Sequence, residues 1–510
     1  MGQEVRHKEF TREQRQSFRA KVLADLDAFE QMLEGSRFDF TRPQMGLEIE
    51  LNLVQEGTLQ PALCNREVLQ ELGEGDFQSE VARYNIEMNV PPRPMAGDQA
   101  VRLERWLSQS IRRAGDAARN NHARVGAIGI VPTLRPEIFQ EPWLSDGVRY
   151  QALNDSLIRE RGEGLELDIT GPGGESVCSY HDTIGPLSGC TSVQLHQQVT
   201  PQDFPVYWNA ASVISGLQIA VGANSPYLFG KHLWAETRIP LFTQMTDTRS
   251  VELKYQGVRP RAYFGRNWIT SIFDLFEENV QSFPALLPES SEEDAKATLA
   301  AGGVPSLTDL KLHNGTVWRW NRPIYDTSQG VPHLRVENRV LPAGPTVVDM
   351  VANACFYYGL LEAATSSGRP IWTKMSFQDA DRNFREAATH GIDAIQRWPG
   401  KGKVRATDLI ENDLLSVADD GLAALGLRRE VRSHFLTVIE GRCRTRTNGA
   451  SWQVAAVQAH EEAGYSRDEA LHEMFRLYLD HSEDNLPVHT WPVPEPAALP
   501  RTELALAEAD

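Results

Sequence analysis

The sequence predicts an α+β protein: an antiparallel-leaning sheet with interspersed helices, followed by a helical C-terminal portion. Two observations carry this reading. Separated segments alternate apolar and polar residues with period two, and they are interleaved with stretches of helical period. Beyond about residue 376 the pattern is almost wholly helical.

The elements follow in order. Thr11 and Gln14 have capping-box spacing, and Phe18, Val22, Leu26, Phe29 and Leu33 recur at helical intervals until Gly35. "MGLEIELNLV" (45–54) is a strand with Leu47, Ile49, Leu51 and Leu53 on one face and Glu48, Glu50 and Asn52 on the other. "RYNIEMNV" (83–90) alternates again and ends at "PPRPMAGD", where Asp98 caps a helix carrying Leu103, Trp106, Leu107 and Ile111. "VGAIGIV" (125–131) reads as a buried strand and "CTSVQLHQQV" (190–199) as an alternating one. Thr200 and Pro201 open a helix through Trp208 and Ile214 that stops near "GANSP". "NGTVWRWNRP" (314–323) and "PHLRVENRVLP" (332–342) are strand-like, and a helix runs from Thr346 through Leu361. "SRDE" (466–469) is a further capping box, and an acidic, Pro-rich tail follows Pro487.

With 510 residues, 41% apolar and 24% charged, the chain is long enough to bury a large core or to form a few domains. A net charge of -18 argues against a general nucleic-acid or anionic-membrane surface, since both need Lys and Arg to meet phosphate. Cys64, Cys178, Cys190, Cys355 and Cys443 show no CxxC spacing, which points to reduced thiols and a cytoplasmic setting. "MGQEVRHKEF" has no apolar h-region, Arg6 stands where a myristoylation motif wants Ser or Thr, and the apolar runs are too short to cross a bilayer.

The polar faces of the strands carry the chemistry. Glu48 and Glu50 stand side by side, a pairing that water alone would accommodate on a solvated strand. Three more strands repeat the theme: Asn85, Glu87 and Asn89; Ser192, Gln194, His196 and Gln198; Arg335, Glu337 and Arg339, with Asn338 breaking the apolar series opposite. A solvated face would more usually mix in Lys and Thr, and none of these faces contains a lysine. If the strands share a sheet, Glu48, Glu50, Glu87, Glu337 and Glu80, with Gln194 or His196 beside them, offer the oxygen ligands that a hard divalent cation wants. Arg339 then sits where a phosphate needs a fork of donors.

"GLEIEL", "NIEMNVPP", "CTSVQLH", "GANSPYLFGKHLWAETR" and "HLRVENRVLPAGPTVVDMVANA" resemble, in order, motifs of the glutamate–cysteine ligases and related carboxylate–amine ligases. "RTRTNGASWQ" (444–453) matches only loosely. The resemblance implies a glutamine-synthetase-like antiparallel sheet forming a polar cradle backed by helices. It implies a catalytic domain over residues 1–400, a helical portion over 401–486 and a tail over 487–510. Carried over residue by residue, it implies metal ligands at Glu48, Glu50, Glu87, Glu337, Glu80 and His196. Gln194 stands where many members have histidine. Gln194, Asn224 and Arg339 would contact nucleotide, and Arg238, Arg339 and Arg322 would serve substrate or phosphate.

The implied reaction uses ATP and magnesium, or manganese in its place, to phosphorylate the side-chain carboxylate of glutamate or a similar acid, which an amine such as cysteine then attacks. Partners would be small molecules, with an oligomer or protein partner also open. No Walker A sequence is present, as a sheet-borne ATP site would have it. Two other classes remain: a guanidino-type phosphotransferase and a non-catalytic descendant that binds nucleotide or a partner. Bland roles are the expectation for Cys190 as packing, His181 and Asp182 as a surface turn, and Arg442, Arg444 and Arg446 as a solvated helix end, while Trp318 and Trp320 are open to flanking adenine or substrate or to core packing.

Overall fold

Period-two alternation brings seven segments into one antiparallel sheet. A computed structural model describes residues 5–35, 38, 43–328, 330–366 and 368–495. In chain order the strands are β1 (Met45–Gln55), β2 (Phe77–Ser79), β3 (Asn85–Arg93), β4 (Ala123–Gly126), β5 (Ser192–Val199), β6 (Asn321–Ser328) and β7 (Val331–Pro342). Across the sheet they run β6-β7-β5-β1-β3-β2, with β4 paired to the last residues of β1, and the sheet curls into a half-barrel.

Successive side chains point to opposite faces, so the register decides what is buried. Leu47, Ile49, Ile86, Met88, Val193, Leu195, Leu334 and Val336 line the core face. Truncating a fully buried leucine such as Leu195 to alanine would cost about 2–5 kcal/mol. Asn338 interrupts this face without penalty, because its Nδ2 donates to Gln218 Oε1 at 3.1 Å and Asn321 Oδ1 at 2.8 Å.

The first helix, α1 (Arg12–Glu34), has its capping box at Thr11 and Gln14 and ends at Gly35. Its Phe29 meets Tyr325 of β6 edge-on at 5.6 Å. In α2 (Gln99–Asn120) Asp98 occupies the cap position but accepts from Arg102 Nε rather than a backbone N–H. Two helices buried on nearly all sides lie beneath the sheet: α3 (Phe204–Gly222) and α4 (Val347–Thr365). Trp208 of α3 donates to Asn321 O at 2.8 Å, and Tyr358 of α4 donates to His196 O at 3.0 Å. Beyond them come α5 (Phe377–His390), α6 (Arg429–Thr445), α7 (Gly449–Glu462) and α8 (Arg467–Glu483), the last with the expected box at Ser466 and Glu469. Apolar residues of these C-terminal helices belong to the same continuous core as the sheet.

Four expectations need correction. Only Ala123–Gly126 of the "VGAIGIV" region is strand: the next carbonyls are taken by side chains and a single amide, with Asn52 Nδ2 on Ile128 O at 3.0 Å and Thr191 N on Gly129 O at 3.0 Å. The helix expected from Thr200 starts at Phe204, since Thr200 and Asp203 first close a side-chain turn. Within 314–323 the chain leaves a short helix, pairs Trp318–Arg319 in parallel with Ala262–Tyr263, and enters β6 only at Asn321. The region after residue 376 contains a hairpin, Ile395–Trp398 with Gly402–Arg405, whose turn uses Gly400 and Gly402 at φ of 77° and 69°. Of the expected tail, residues 496–510 lie outside the described residues.

Candidate active site

The polar face of the sheet floors a cavity of about 480 Å³. The register assembles its rows. Glu50 faces Glu87 across β1 and β3, and Glu87 faces Gln78 on β2. Glu48 faces Gln194 on β5, while Glu337 on β7 is flanked by His196 and Arg322. Residues directly opposite on one face stand about 5 Å apart, so four strands deliver their charges to one surface.

One end of that surface is acidic. Carboxylate oxygens of Glu50, Glu80 and Glu87 lie within 4.8 Å of one another. Glu50 accepts from Ser192 N at 2.7 Å, Ser192 Oγ at 3.1 Å and Gln194 Nε2 at 2.9 Å. Glu87 accepts from Gln78 Nε2 and, at 3.2 Å, Asn89 Nδ2, and Glu80 accepts from Val81 N at 2.6 Å. Burial pushes Glu50 up to about 7 against the pull of Arg339, and burial with mutual repulsion pushes Glu80 and Glu87 up as well. Three converging carboxylates whose charged forms are disfavoured are a donor set suited to a hard divalent cation.

The other end is basic. Arg322 donates to Glu337 Oε2 from Nε at 3.2 Å and Nη2 at 2.8 Å, and Arg339 Nη1 donates to Glu337 Oε1 at 2.5 Å. Burial opposes the charge on Glu337, but Arg322 and Arg339 outweigh it and hold its carboxyl well below the usual range. Arg339 also donates to Gln194 Oε1, which fixes the Gln194 amide: its oxygen faces the guanidinium and its nitrogen faces Glu50. Gln194 thus bridges the two ends.

His196 lies between Arg335 and Glu48 on the polar face. Arg335 Nε donates to His196 Nδ1 at 3.1 Å, and a guanidinium has no lone pair to offer in return. The imidazole proton therefore sits on Nε2, which lies 3.4 Å from Glu48 Oε1. In this arrangement His196 presents a donor to Glu48 and no lone pair to a cation. Burial pushes the Glu48 carboxyl up, and the donor that His196 presents to it acts in the opposite direction.

Arg238, the first residue of the short helix Arg238–Met245, lines the cavity. Its Nε donates to buried Glu236 at 3.1 Å, its Nη2 donates to Val340 O at 2.5 Å, and its guanidinium carbon lies 5.9 Å from the Trp320 ring centre. Phe242 continues the aromatic wall, 6.1 Å from Trp318 and 5.8 Å from Trp320. Asn224 does not line the cavity: it is fully buried behind it, donating to Ala343 O at 2.7 Å and to Tyr478 Oη at 2.8 Å.

The model of glutamate–cysteine ligase family 2 matches residues 44–472. The chain belongs to that family. Membership makes it a ligase of the carboxylate–amine class. Among solved structures it is similar to the glutamate–cysteine ligase of Francisella tularensis in complex with AMP, at 11% identity and a TM-score of 0.51, over 90% of this chain and 91% of that one. It is also similar to a bifunctional glutathione synthetase from Pasteurella multocida, at 12% identity and a TM-score of 0.47, over 90% of this chain and 55% of that one. A third is the ligase PafA in complex with the prokaryotic ubiquitin-like protein Pup, at 10% identity and a TM-score of 0.33, over 87% of this chain and 74% of that one. The first likeness shows the shared ligase fold. No curated protein matches the chain.

Within this family member, Glu48, Glu50, Glu80, Glu87, Gln194, Arg238, Arg322, Glu337 and Arg339 all line one cavity, whereas His196, beside Glu48 on the same face, and buried Asn224 are not among its lining residues. Gln78, Arg149, Tyr150, Lys311 and Asp326 line it too and carried no sequence signal beyond their charge or polarity. Arg442, expected at a solvated helix end, is buried and donates to Asp349 Oδ1 at 2.7 Å. Cys190 lines the cavity as well, but burial pushes its thiol up, away from the thiolate that a nucleophile needs. No helix among the described residues is long and apolar enough to cross a membrane.

Proposed function

We propose that this chain is an ATP-dependent ligase that phosphorylates the side-chain carboxylate of glutamate, or a similar acid, and joins it to the amine of cysteine or another small amine, releasing ADP and phosphate. One observation carries the reading: three clustered, charge-starved glutamates and three arginines share the floor of one cavity. A carboxylate is a poor acylating agent, so the reaction needs a place where phosphate charge is neutralised on both sides.

Glu50, Glu80 and Glu87 would hold magnesium or manganese, and the bound ion would neutralise phosphate oxygens during transfer. The chain's own groups do the remainder. Arg339 and Arg322, anchored on Glu337, present guanidinium edges over the floor, and Arg238 is held through Nε and Nη2 so that it needs no reorganisation when charge develops. An oxygen of the acid's carboxylate bonds to the γ-phosphorus and ADP leaves. The amine nitrogen then bonds to the acyl carbon, phosphate departs with that oxygen, and the nitrogen loses its proton to form the amide. Holding both reactants in a walled cavity supplies the proximity and the exclusion of water that an acyl phosphate requires.

Glutamate labelled with oxygen-18 in its side-chain carboxylate tests the reading, with ATP, magnesium and cysteine present. The label should appear in released phosphate at one atom per turnover. Turnover that leaves phosphate unlabelled contradicts acyl activation and points to a phosphotransferase.

A further inference from the structure

The segment Arg442–Gln453 lies outside the sheet, and the reaction above gives it no task. Four of its hydrogen bonds nonetheless reach one place, the C-terminal end of α3, while Arg442 also donates to Asn353 and Asp349 of α4. The last carbonyls of a helix have no partner within it. Here Asn448 Nδ2 donates to Ala220 O at 3.0 Å, Arg442 Nη1 to Val221 O at 3.0 Å, Ala450 N to Ala223 O at 2.8 Å and Gln453 Nε2 to Asn224 O at 3.3 Å. Gln453 also donates to Asn224 Oδ1 at 2.9 Å. Gly449 permits this approach, since a Cβ there would overlap Asn224 Oδ1.

From Asn224 the chain of contacts runs directly to the cavity. Asn224 N donates to Glu236 Oε2 at 2.9 Å, Ser225 Oγ donates to Glu236 Oε1 at 2.7 Å, and that same Oε1 accepts from Arg238 Nε at 3.1 Å. Glu236, Asn224, Ser225 and Gln453 are all fully buried. Buried polar groups held by several partners at once keep a single geometry, and Gln453 enters this network through its Nε2 alone. We infer that Glu236 is a positioning residue that sets the Arg238 guanidinium, and that Gln453 fixes Glu236 in turn through Asn224, so that the C-terminal helices tune the site without touching it. This rests on Arg238 acting on phosphate as described above.

A double-mutant cycle on turnover tests the inference, using the full chain with ATP, magnesium, glutamate and cysteine. Arg238→Lys should lower kcat about a hundredfold. Glu236→Gln, which removes the counter-charge, should lower kcat at least about tenfold with the KM for ATP within about threefold. The double variant should be no worse than Arg238→Lys within about threefold, because Glu236 acts only through that arginine. Losses that multiply in full would overturn the inference and leave Glu236 a purely structural group. If Arg238→Lys keeps wild-type kcat, the role given to Arg238 fails, and this inference with it. Should Glu236→Gln not fold, the same cycle with Gln453→Met decides, with a smaller expected loss of about threefold to tenfold and the same lack of additivity. Crystal structures of the same variants need neither acid nor amine, so they read the positioning even if the substrate pair is misassigned: the Arg238 guanidinium should leave its wild-type position in Glu236→Gln. An unmoved guanidinium in both Glu236→Gln and Gln453→Met would again overturn the inference.

Discussion

Glu337 and Glu87 are the same residue type on the same face of one sheet, and their surroundings are opposite. Glu337 is enclosed by Arg322 and Arg339, which hold its carboxyl well below the usual range. Glu87 has Gln78 and Asn89 as its donors and two further glutamates, Glu50 and Glu80, within 4.8 Å, and burial raises it from 4.5 to about 8. The difference separates two uses of a buried carboxylate. At the basic end the negative charge is already neutralised and serves to hold arginines. At the acidic end it lacks a counter-charge, and a cation would supply one.

Removing the charge should therefore have opposite effects at the two ends. The largest effect belongs to Glu337→Gln, which leaves two half-buried guanidinium groups without their fully buried counter-charge and should cost about 3–4 kcal/mol of stability in urea denaturation without metal. An unchanged urea midpoint would mean that the arginines reach solvent. Next comes Arg339→Lys. A point charge cannot donate to Glu337 and Gln194 while also meeting phosphate, so kcat should fall about a hundredfold, or roughly 3 kcal/mol of transition-state stabilisation. A rise in KM alone would show that Arg339 binds ground state and transition state equally.

The smallest effect has the reverse sign. Glu87→Gln removes repulsion while keeping an oxygen for Gln78 and Asn89, so at pH 9 without divalent cation it should stabilise the chain by about 1–2 kcal/mol. The pH window follows from the direction of the shift. A raised carboxyl keeps its proton in the folded chain after the unfolded chain has lost it, so wild-type stability falls as pH rises from about 4.5 to about 8. The variant should lose that share of the slope and match the wild type below pH 4, as urea titrations at several pH values would show.

The acidic and basic ends were legible because period two holds from Leu47 along β1, along β3 and along β7 up to the irregularity after Asn338. Once "GLEIEL", "NIEMN" and "LRVENRV" are strands, Glu48, Glu50, Glu87, Glu337 and Arg339 must share a face, and only strand order remains to be supplied. Strand order is also what the sequence left open, and the surroundings that depend on it were not legible. That Arg335 meets His196 Nδ1 follows only once β7 is placed beside β5. Asn224 sits in a segment that reads as part of the site, yet Tyr478, 254 residues later, takes its side chain away from the cavity. Arg442 was expected at a solvated helix end because its partner Asp349 lies 93 residues away. The hairpin at 395–405 carried a turn signal in "PGKG", but the helical period on both sides obscured it.

Manganese binding in the absence of nucleotide tests most directly whether the acidic end is a cation site. Free manganese can be counted by electron paramagnetic resonance while the full chain is titrated. The wild type should bind a first ion, and Glu87→Gln, folded and at least as stable, should bind it at least about tenfold more weakly, since one of three carboxylates in a preformed set is gone. Equal manganese affinity in wild type and Glu87→Gln would contradict the account, because it would place the ion away from Glu50, Glu80 and Glu87.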